Sequence, residues 1–283
     1  MNDQLQRFLF DNTDVRGELS RLQQSYLDAL TAHQYPDAVA QLIGEFLAAA
    51  ALLSATLKFD GTLTLQARSE GEIPLIMAEA TSNNQLRAIA RGADNASSDD
   101  FHTLLAKGQL SITIEPTQGQ RYQGIVALDG DNLAQCLEGY FRQSEQLSTR
   151  IWLCCDKQQA AGLLLQELPA SDISADDRQQ QWQHLTQLAD TITPAELLSL
   201  PFEQILYRLY HEEQVRLFDA TNLEFKCSCS EQRTLSALHT LGQQELNEII
   251  AEQGVIEVNC EFCHQHYQFQ QQDIDQLFNT TMH

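Results

Sequence analysis

The chain has 283 residues, of which 43% are hydrophobic, so it can form one large domain or two to three smaller ones with real cores. Its formal net charge is −22. This charge argues against a nucleic-acid partner, because proteins hold a phosphate backbone with lysine and arginine.

The start of the chain lacks the basic and apolar segments of a secretory signal, which predicts a cytoplasmic protein. The most apolar run, residues 46–57, is too short to cross a bilayer and is rich in alanine, so we expect a buried helix and no membrane partner. In a reducing compartment, seven cysteines indicate metal ligands or redox sensors rather than a disulfide framework.

Residues 1–170 are predicted to form one α+β domain. Alternating apolar residues predict strands at 5–10, 14–19, 109–115, 121–128, 149–155 and 163–168. Helical spacing predicts helices over 20–33, 37–54 and 131–143, the second opening after Pro36. Alternation on both sides of Asp60-Gly61 predicts a β-hairpin over 56–66.

Residues 171–222 are predicted to be a metastable helical linker. The first part is rich in Asp and Gln and has only a narrow apolar stripe of Trp182, Leu185 and Leu188. A capping-box pattern begins a second helix at Thr193, and Pro201 begins a third. Helices with so little apolar area depend on docking for their stability. The pattern fits an ordinary helical subdomain equally well.

Residues 223–283 are predicted to form a small zinc-binding α+β domain. Cys227 and Cys229 are separated from Cys260 and Cys263 by thirty residues. Two close pairs of thiols are a typical ligand set for one tetrahedral Zn²⁺ ion, whereas four unrelated buried cysteines rarely show this spacing. A domain of about sixty residues with few large apolar side chains has a thin core, so it should need its metal to fold.

The elements predicted in this domain are helices over 231–239 and 243–253, strands at 255–259 and 267–269, and a last helix. From residue 223 onward, the only lysine and arginine are Lys226 and Arg233, against nine acidic residues. A zinc ribbon that gripped RNA would normally show a basic face, so this composition argues against one.

The histidines near the cysteine pairs and the remaining cysteines are predicted to have structural roles rather than to bind metal. We expect His264 and His266 to lie beside the metal without binding it, because four cysteines already complete the ligand set. The adjacent Cys154 and Cys155 should face opposite sides of a strand and pack as small residues, although their redox role is open. Cys136 is predicted to be a core thiol, and His239 to be solvated or packed.

Several stretches together resemble one protein family over nearly the whole chain. They are 15–17 (VRG), 56–61 (TLKFDG), 119–124 (GQRYQG), 140–146 (YFRQSEQ), 160–166 (AAGLLLQ), 208–213 (RLYHEE), 225–230 (FKCSCS) and 260–267 (CEFCHQHY). The chain resembles the thirty-three-kilodalton heat-shock holdases, which are redox-regulated bacterial chaperones. It departs from that pattern at Cys154, at Cys155 and at Leu163, where a second glycine is expected.

The resemblance implies that a reduced, zinc-bound form with Cys227, Cys229, Cys260 and Cys263 as ligands is largely inactive. It implies that oxidation joins Cys227 to Cys229 and Cys260 to Cys263, releases zinc and unfolds the linker. The activated protein, as a homodimer, then holds unfolding client proteins without ATP.

The cysteine pattern is also compatible with two functions other than a holdase. Cys260 and Cys263 could form the centre of a thiol–disulfide oxidoreductase, but such motifs sit early in a βαβ unit. A zinc-ribbon adaptor for RNA or the ribosome is disfavoured by the acidic domain. The chain has no phosphate-binding glycine loop, no Ser–His–Asp arrangement in a recognisable context and no ATP motif, so we predict that it is not an enzyme.

Overall fold

The computed structural model describes residues 3–57, 60–169 and 173–280. By their internal contacts they form two compact units, Met1–Lys226 and Cys227–His283. Both units combine helices with strands, which confirms the predicted α+β class. The functional division into domains at 1–170, 171–222 and 223–283 is not the same as this division by contacts, and it stays a prediction.

The first unit contains two sheets. Its strands are β1 (Gln4–Phe10), β2 (Val15–Leu22), β3 (Gly61–Arg68), β4 (Leu75–Thr81), β5 (Gln85–Arg91), β6 (Gln109–Pro116), β7 (Tyr122–Ala127), β8 (Thr149–Cys155), β9 (Ala160–Glu167), β10 (Val215–Leu217), β11 (Thr221–Asn222) and β12 (Glu224–Phe225). The first sheet has the order β10-β1-β2-β9-β8, with β11 also paired to β1. The second has the order β12-β5-β4-β3-β6-β7.

Seven helices accompany these strands in the described part of the first unit. They are α1 (Gln24–Leu30), α2 (Asp37–Thr56), α3 (Phe101–Leu104), α4 (Leu133–Tyr140), α5 (Ala175–Ala189), α6 (Pro194–Ser199) and α7 (Phe202–Tyr210). A single π-helical turn, Phe141–Glu145, continues α4.

Helix α2 lies between the two sheets and touches three strands of each. Its middle is made of small residues, and Ala48–Ala51 are at most 1% exposed. A helix packed on both sides has little solvent-facing surface, which explains why most of its sequence is apolar, with exposed polar residues only at Asp37 and Gln41 near its start. By length and composition α2 could cross a membrane, but 67% of its most apolar window is buried inside the fold, as expected for a core helix.

The outer face of the first sheet is covered by α5, α6 and α7. Phe8, Leu19 and Leu163 from the sheet pack with Leu185 and Leu206 from these helices in a second apolar cluster, separate from the core around α2. The predicted capping box of α6 is present, with Thr193 and Glu196 bonding each other's backbone N–H groups. Residues 175–210 of the segment predicted to be a weak linker therefore form docked helices, and its last part forms strands β10 and β11 paired to β1.

A cavity of about 340 Å³ lies where α2, α4, β8 and the start of α6 meet. The carboxyl group of Glu45 on α2 lines it, with Cys154 and Pro194 opposite. Burial raises the pKa of Glu45 to about 7, because an apolar setting disfavours the charged form.

The second unit is small. Its elements are α8 (Glu231–Leu238), a 3₁₀ turn (His239–Leu241), α9 (Gln243–Gln253), β13 (Ile256–Asn259), β14 (His266–Phe269) and α10 (Gln271–Thr280). Its core consists of four buried apolar residues, Leu246, Ile256, Phe269 and Ile274, with partly buried neighbours around them. Gly242 separates α8 and its 3₁₀ turn from α9, as predicted.

Two local predictions were wrong. Strand β2 continues to Leu22, so the helix expected from residue 20 begins only at Gln24. The hairpin expected around Asp60-Gly61 does not form, because α2 extends to Thr56 and β3 begins at Gly61, pairing with β4 and β6. Residues 58 and 59 of that prediction lie outside the described residues.

The packing of α2 makes a testable contrast between two helical glycines. A Cβ atom at Gly44 would overlap Cys155 Sγ, whereas a Cβ at Gly139 on α4 would meet nothing within 4 Å. We expect Gly139→Ala to raise the free energy of unfolding by about 0.5–1 kcal/mol through helix propensity. We expect the free energy of unfolding of Gly44→Ala to be about 1–3 kcal/mol lower than that of Gly139→Ala, because the new methyl group overpacks the core.

The measurement is urea unfolding of the reduced protein followed by circular dichroism. Adding Cys155→Ala to Gly44→Ala removes the sulfur that the new Cβ meets, so the double variant should regain most of the loss. Equal shifts for the two glycine variants would contradict the packing described for α2.

The buried carboxyl of Glu45 predicts a pH dependence of stability. Its folded pKa is raised, so its contribution is fully present below the unfolded pKa and is lost as pH rises through about 7. Between about pH 5 and about pH 8 the loss is on the order of 2 kcal/mol. Glu45→Gln should reduce this slope in urea unfolding measured across that range and leave the part due to Glu18, whose pKa burial also raises to about 7. An unchanged slope would show that Glu45 is not responsible.

Candidate metal centre

The four cysteines singled out by the sequence meet in the second unit. The Sγ atoms of Cys227, Cys229, Cys260 and Cys263 all lie within 4.8 Å of one another. Two close contacts run between the pairs: Cys227 Sγ lies 3.6 Å from Cys260 Sγ, and Cys229 Sγ lies 3.5 Å from Cys263 Sγ. The chain thus brings two distant loops together at one point.

The loop that carries the first pair is fixed by local hydrogen bonds. Ser230 is the N-cap of α8, and its hydroxyl accepts from the backbone N–H of Arg233 at 3.2 Å. The guanidinium of Arg233 donates back to the carbonyl of Ser228 at 2.9 Å, between the two cysteines. Helix capping therefore sets the position of the loop.

The loop that carries the second pair is a tight turn between β13 and β14. The Cys260 N–H donates to the Gln265 carbonyl at 2.9 Å, and the His264 N–H donates to the Cys260 carbonyl at 2.7 Å. His264 has φ 56°, in the left-handed region, which lets the chain reverse directly after Cys263. The pairing of β13 with β14 holds both ends of this turn.

These four sulfurs could hold a metal ion, and their spacing fits zinc. With Zn–S bonds of about 2.3 Å, the sulfurs of a tetrahedral site lie about 3.8 Å apart. The observed separations of 3.5–3.6 Å, with none above 4.8 Å, are compatible with that geometry. Among the described residues, no histidine belongs to this cluster.

The electrostatics of the cluster favour a cation. Burial, followed by contacts with the other three sulfurs, raises the pKa of Cys263. Several thiolates in one place repel each other unless a positive charge lies between them. A metal ion would supply that charge, because metal binding requires the deprotonated ligand and releases its proton.

Tyr267 is a contact of the site that the sequence reasoning did not single out. Its hydroxyl donates to Cys229 Sγ at 3.1 Å, and this bond to a sulfur raises the pKa of the tyrosine. A donor at this position would orient the sulfur and stabilise its charge, as outer hydrogen bonds do in metal sites. The sequence feature that could have indicated this contact is the position of Tyr267 in the strand directly after the turn that carries Cys260 and Cys263.

The three histidines considered in the sequence differ in their surroundings, and their roles toward a metal stay predictions. His266 Nδ1 lies 2.8 Å from Asn259 Oδ1, and its ring is exposed. His264 is exposed in the turn. His239 stacks on Phe278, with ring centroids 4.7 Å apart.

The other three cysteines lie in the first unit, and all seven cysteines are reduced. Cys136 is buried on α4, as predicted for a core thiol. Cys154 belongs to the cluster under α5–α7, whereas Cys155 packs against the core around α2, so the two side chains face opposite sides of β8 as expected. Burial raises the pKa of each of these two thiols to about 12.

The comparisons with known proteins agree on one family. The family model described as Hsp33 protein matches residues 3–270. The chain is 53% identical over 281 residues to a 33 kDa chaperonin of Pseudomonas paraeruginosa, covering 98% of this chain and 95% of that protein. It is 53% identical over 280 residues to a 33 kDa chaperonin of Azotobacter vinelandii, covering 98% and 94%.

A solved structure shows the same fold. The crystal structure of the 33 kDa chaperonin (heat shock protein 33 homolog) from Thermotoga maritima superimposes with a TM-score of 0.83 at 20% identity, covering 98% of each chain. The resemblance inferred from the sequence motifs is thereby confirmed, and the chain belongs to the Hsp33 family of chaperones.

Proposed function

We propose that the chain is a redox-regulated, ATP-independent holdase whose reduced form is inactive and holds one Zn²⁺ ion through Cys227, Cys229, Cys260 and Cys263. The observation that carries this proposal is the convergence of four reduced sulfurs within 4.8 Å in a unit with a very small core. In an Hsp33 family member, a unit with so small a core is better suited to unfolding on loss of its metal than to staying folded permanently.

The energetics support a dependence of the second unit on its metal. Structural zinc contributes an apparent free energy of about 10–16 kcal/mol in small finger peptides. Whole domains are stable by only about 5–15 kcal/mol. With Leu246, Ile256, Phe269 and Ile274 as its buried core, this unit has little apolar area to replace that contribution. Loss of the ion should therefore unfold it.

Oxidation would remove the ligands as a set. Each disulfide forms when two cysteine sulfurs lose two electrons in total, and one peroxide molecule is reduced to two water molecules. Two bridges therefore consume two peroxide molecules. Disulfide sulfurs no longer carry the charge that binds zinc. Short-range bridges also restrain the unfolded chain far less than long-range ones, because closed-loop entropy grows with loop length.

The surface released in this process would be the outer face of the first sheet. Helices α5–α7 cover Phe8, Leu19 and Leu163. We infer that these helices undock once the second unit is lost and that the uncovered apolar surface binds unfolding client proteins. The net charge of −22 would keep the opened protein soluble, and a homodimer is the proposed active form. We place this activity in the cytoplasm.

The decisive measurement is suppression of aggregation of a thermally unfolding client, with zinc release followed in the same samples. Reduced, metal-loaded protein should give little protection, whereas peroxide with mild heat should release about one zinc per chain and produce protection without ATP. Equal protection by the reduced, metal-loaded protein would overturn the proposal. Turnover of a dithiol substrate would instead favour an oxidoreductase.

The disulfide pattern gives a separate test. In the folded unit the sulfur of Cys227 lies 3.6 Å from that of Cys260, and the sulfur of Cys229 lies 3.5 Å from that of Cys263, so bridges between the pairs are also within reach. We expect peptide mapping by mass spectrometry to find Cys227–Cys229 and Cys260–Cys263 instead, because the unit unfolds as it oxidises. Bridges between the pairs would show that oxidation traps the folded geometry.

Two variants control this mapping experiment. Cys260→Ser removes one ligand and should reduce the zinc content of the purified protein from about one per chain to near zero. Cys136→Ser changes a thiol on α4 in the first unit and should leave the zinc content and both bridges unchanged.

A further inference from the structure

We propose that Arg21 positions the docked helices by donating hydrogen bonds that the junction between α6 and α7 cannot make for itself. This inference rests on the proposed function, in which undocking of α5–α7 activates the protein. Arg21 lies on β2 in the first sheet and is only 5% exposed.

The junction lacks backbone donors where it is most buried. Helix α6 ends at Ser199, and Leu200 is already extended, with φ −78° and ψ 142°. The next residue is Pro201, which has no N–H group. The last carbonyls of a helix need an outside partner, and here the following backbone cannot provide one. The Leu197 side chain is buried at this point, so water has little access.

Arg21 supplies the missing donors. Its Nη2 atom donates to the Leu197 carbonyl at 2.8 Å and to the Leu200 carbonyl at 2.5 Å. Its guanidinium carbon lies 5.0 Å from the ring centroid of Phe202, the first residue of α7. One side chain thus contacts the end of α6, the residue between the helices and the start of α7.

Two exposed ion pairs of these helices are weaker candidates for this role. Arg150 pairs with Asp190 at 2.6 Å, and Arg208 pairs with Glu196 at 2.8 Å, but both arginine side chains are 42% exposed or more. Exposed ion pairs are screened by solvent and contribute little, whereas a buried carbonyl that loses its donor is costly. We therefore expect the attachment to depend more on Arg21 than on these pairs.

The side chain must be arginine for geometric reasons. The planar guanidinium can stack on a ring while its N–H groups point to acceptors in its plane, and a lysine ammonium cannot reproduce this arrangement. Arg21→Met keeps most of the length but removes every donor. Arg21→Lys keeps the charge and should be intermediate. The opening equilibrium of the helices should increase roughly 10- to 100-fold in Arg21→Met.

The test is hydrogen exchange measured by mass spectrometry on reduced, metal-loaded full-length protein, with zinc content determined in parallel. Peptides from α5–α7 should exchange roughly 10- to 100-fold faster in Arg21→Met, less so in Arg21→Lys, with zinc retained at the wild-type level. The matched control is Arg87→Met, which removes a largely buried arginine that pairs with Glu79 at 2.6 Å in the second sheet. The control should leave exchange in α5–α7 unchanged.

Three outcomes would overturn the inference: wild-type exchange in α5–α7 of both Arg21 variants, equal acceleration in α5–α7 and in the strands of the second sheet, or the same effect from Arg87→Met. Should Arg21→Met fail to fold, Arg21→Lys decides by the same criteria. In oxidised protein the helices are already released, so wild type and Arg21 variants should exchange alike in α5–α7. A persisting difference there would count against a role limited to docking.

Client protection separates this inference from the proposed function. If α5–α7 open in the zinc-bound Arg21→Met protein and aggregation of a client is suppressed, both are supported. If these helices open and the client still aggregates, the role of Arg21 stands and the proposed function fails.

Discussion

The structure depends on the meeting of four sulfurs in a unit that has little else to hold it together. Cys227 and Cys229 come from one loop and Cys260 and Cys263 from another, and no other pair of loops in the described second unit is joined by so many potential ligands. Four thiols at this distance are compatible with protonation, with a shared cation or with oxidation, and each state implies a different shape for the unit. With a large core, the unit would keep its fold in any of these three states. With a core this small, the fold of the unit depends on which state the thiols are in.

The first unit is built in the opposite way. Helix α2 is enclosed by two sheets, and its alanines leave room for the strands to approach from both sides. That core is independent of any cysteine pair. The outer face of the first sheet has a different status, because its cover consists of three helices attached partly by polar contacts such as those of Arg21 at the α6–α7 junction and of Arg178 with Asp14. In the proposed mechanism, the same sheet therefore has one side that stays covered and one side that is uncovered on activation.

The sequence predicted the convergence of the four cysteines better than it predicted the fold of the first unit. Cysteine spacing is a covalent property of the chain, and two close pairs have few uses other than joint ligation. Strands β4 and β5 were not predicted, because alternating alanines such as Ala78, Ala80, Ala88 and Ala90 carry a weak apolar signal. The chain bends at Asp60, but the strand that begins at Gly61 pairs with β4 and β6, with partners 7 to 55 residues further along the chain.

The role of Arg21 illustrates why contacts of this type escape sequence reasoning. Nothing near residue 21 indicates a partner, since the carbonyls it binds lie 176 and 179 residues away. The local sequence shows that a backbone donor is missing, because Pro201 follows closely on the end of α6. It does not show which side chain replaces that donor. If the helices undock on activation, as proposed, an attachment through backbone carbonyls is well suited to their release. Water can take over both carbonyls once the junction is exposed, so the polar contacts oppose opening only until it begins.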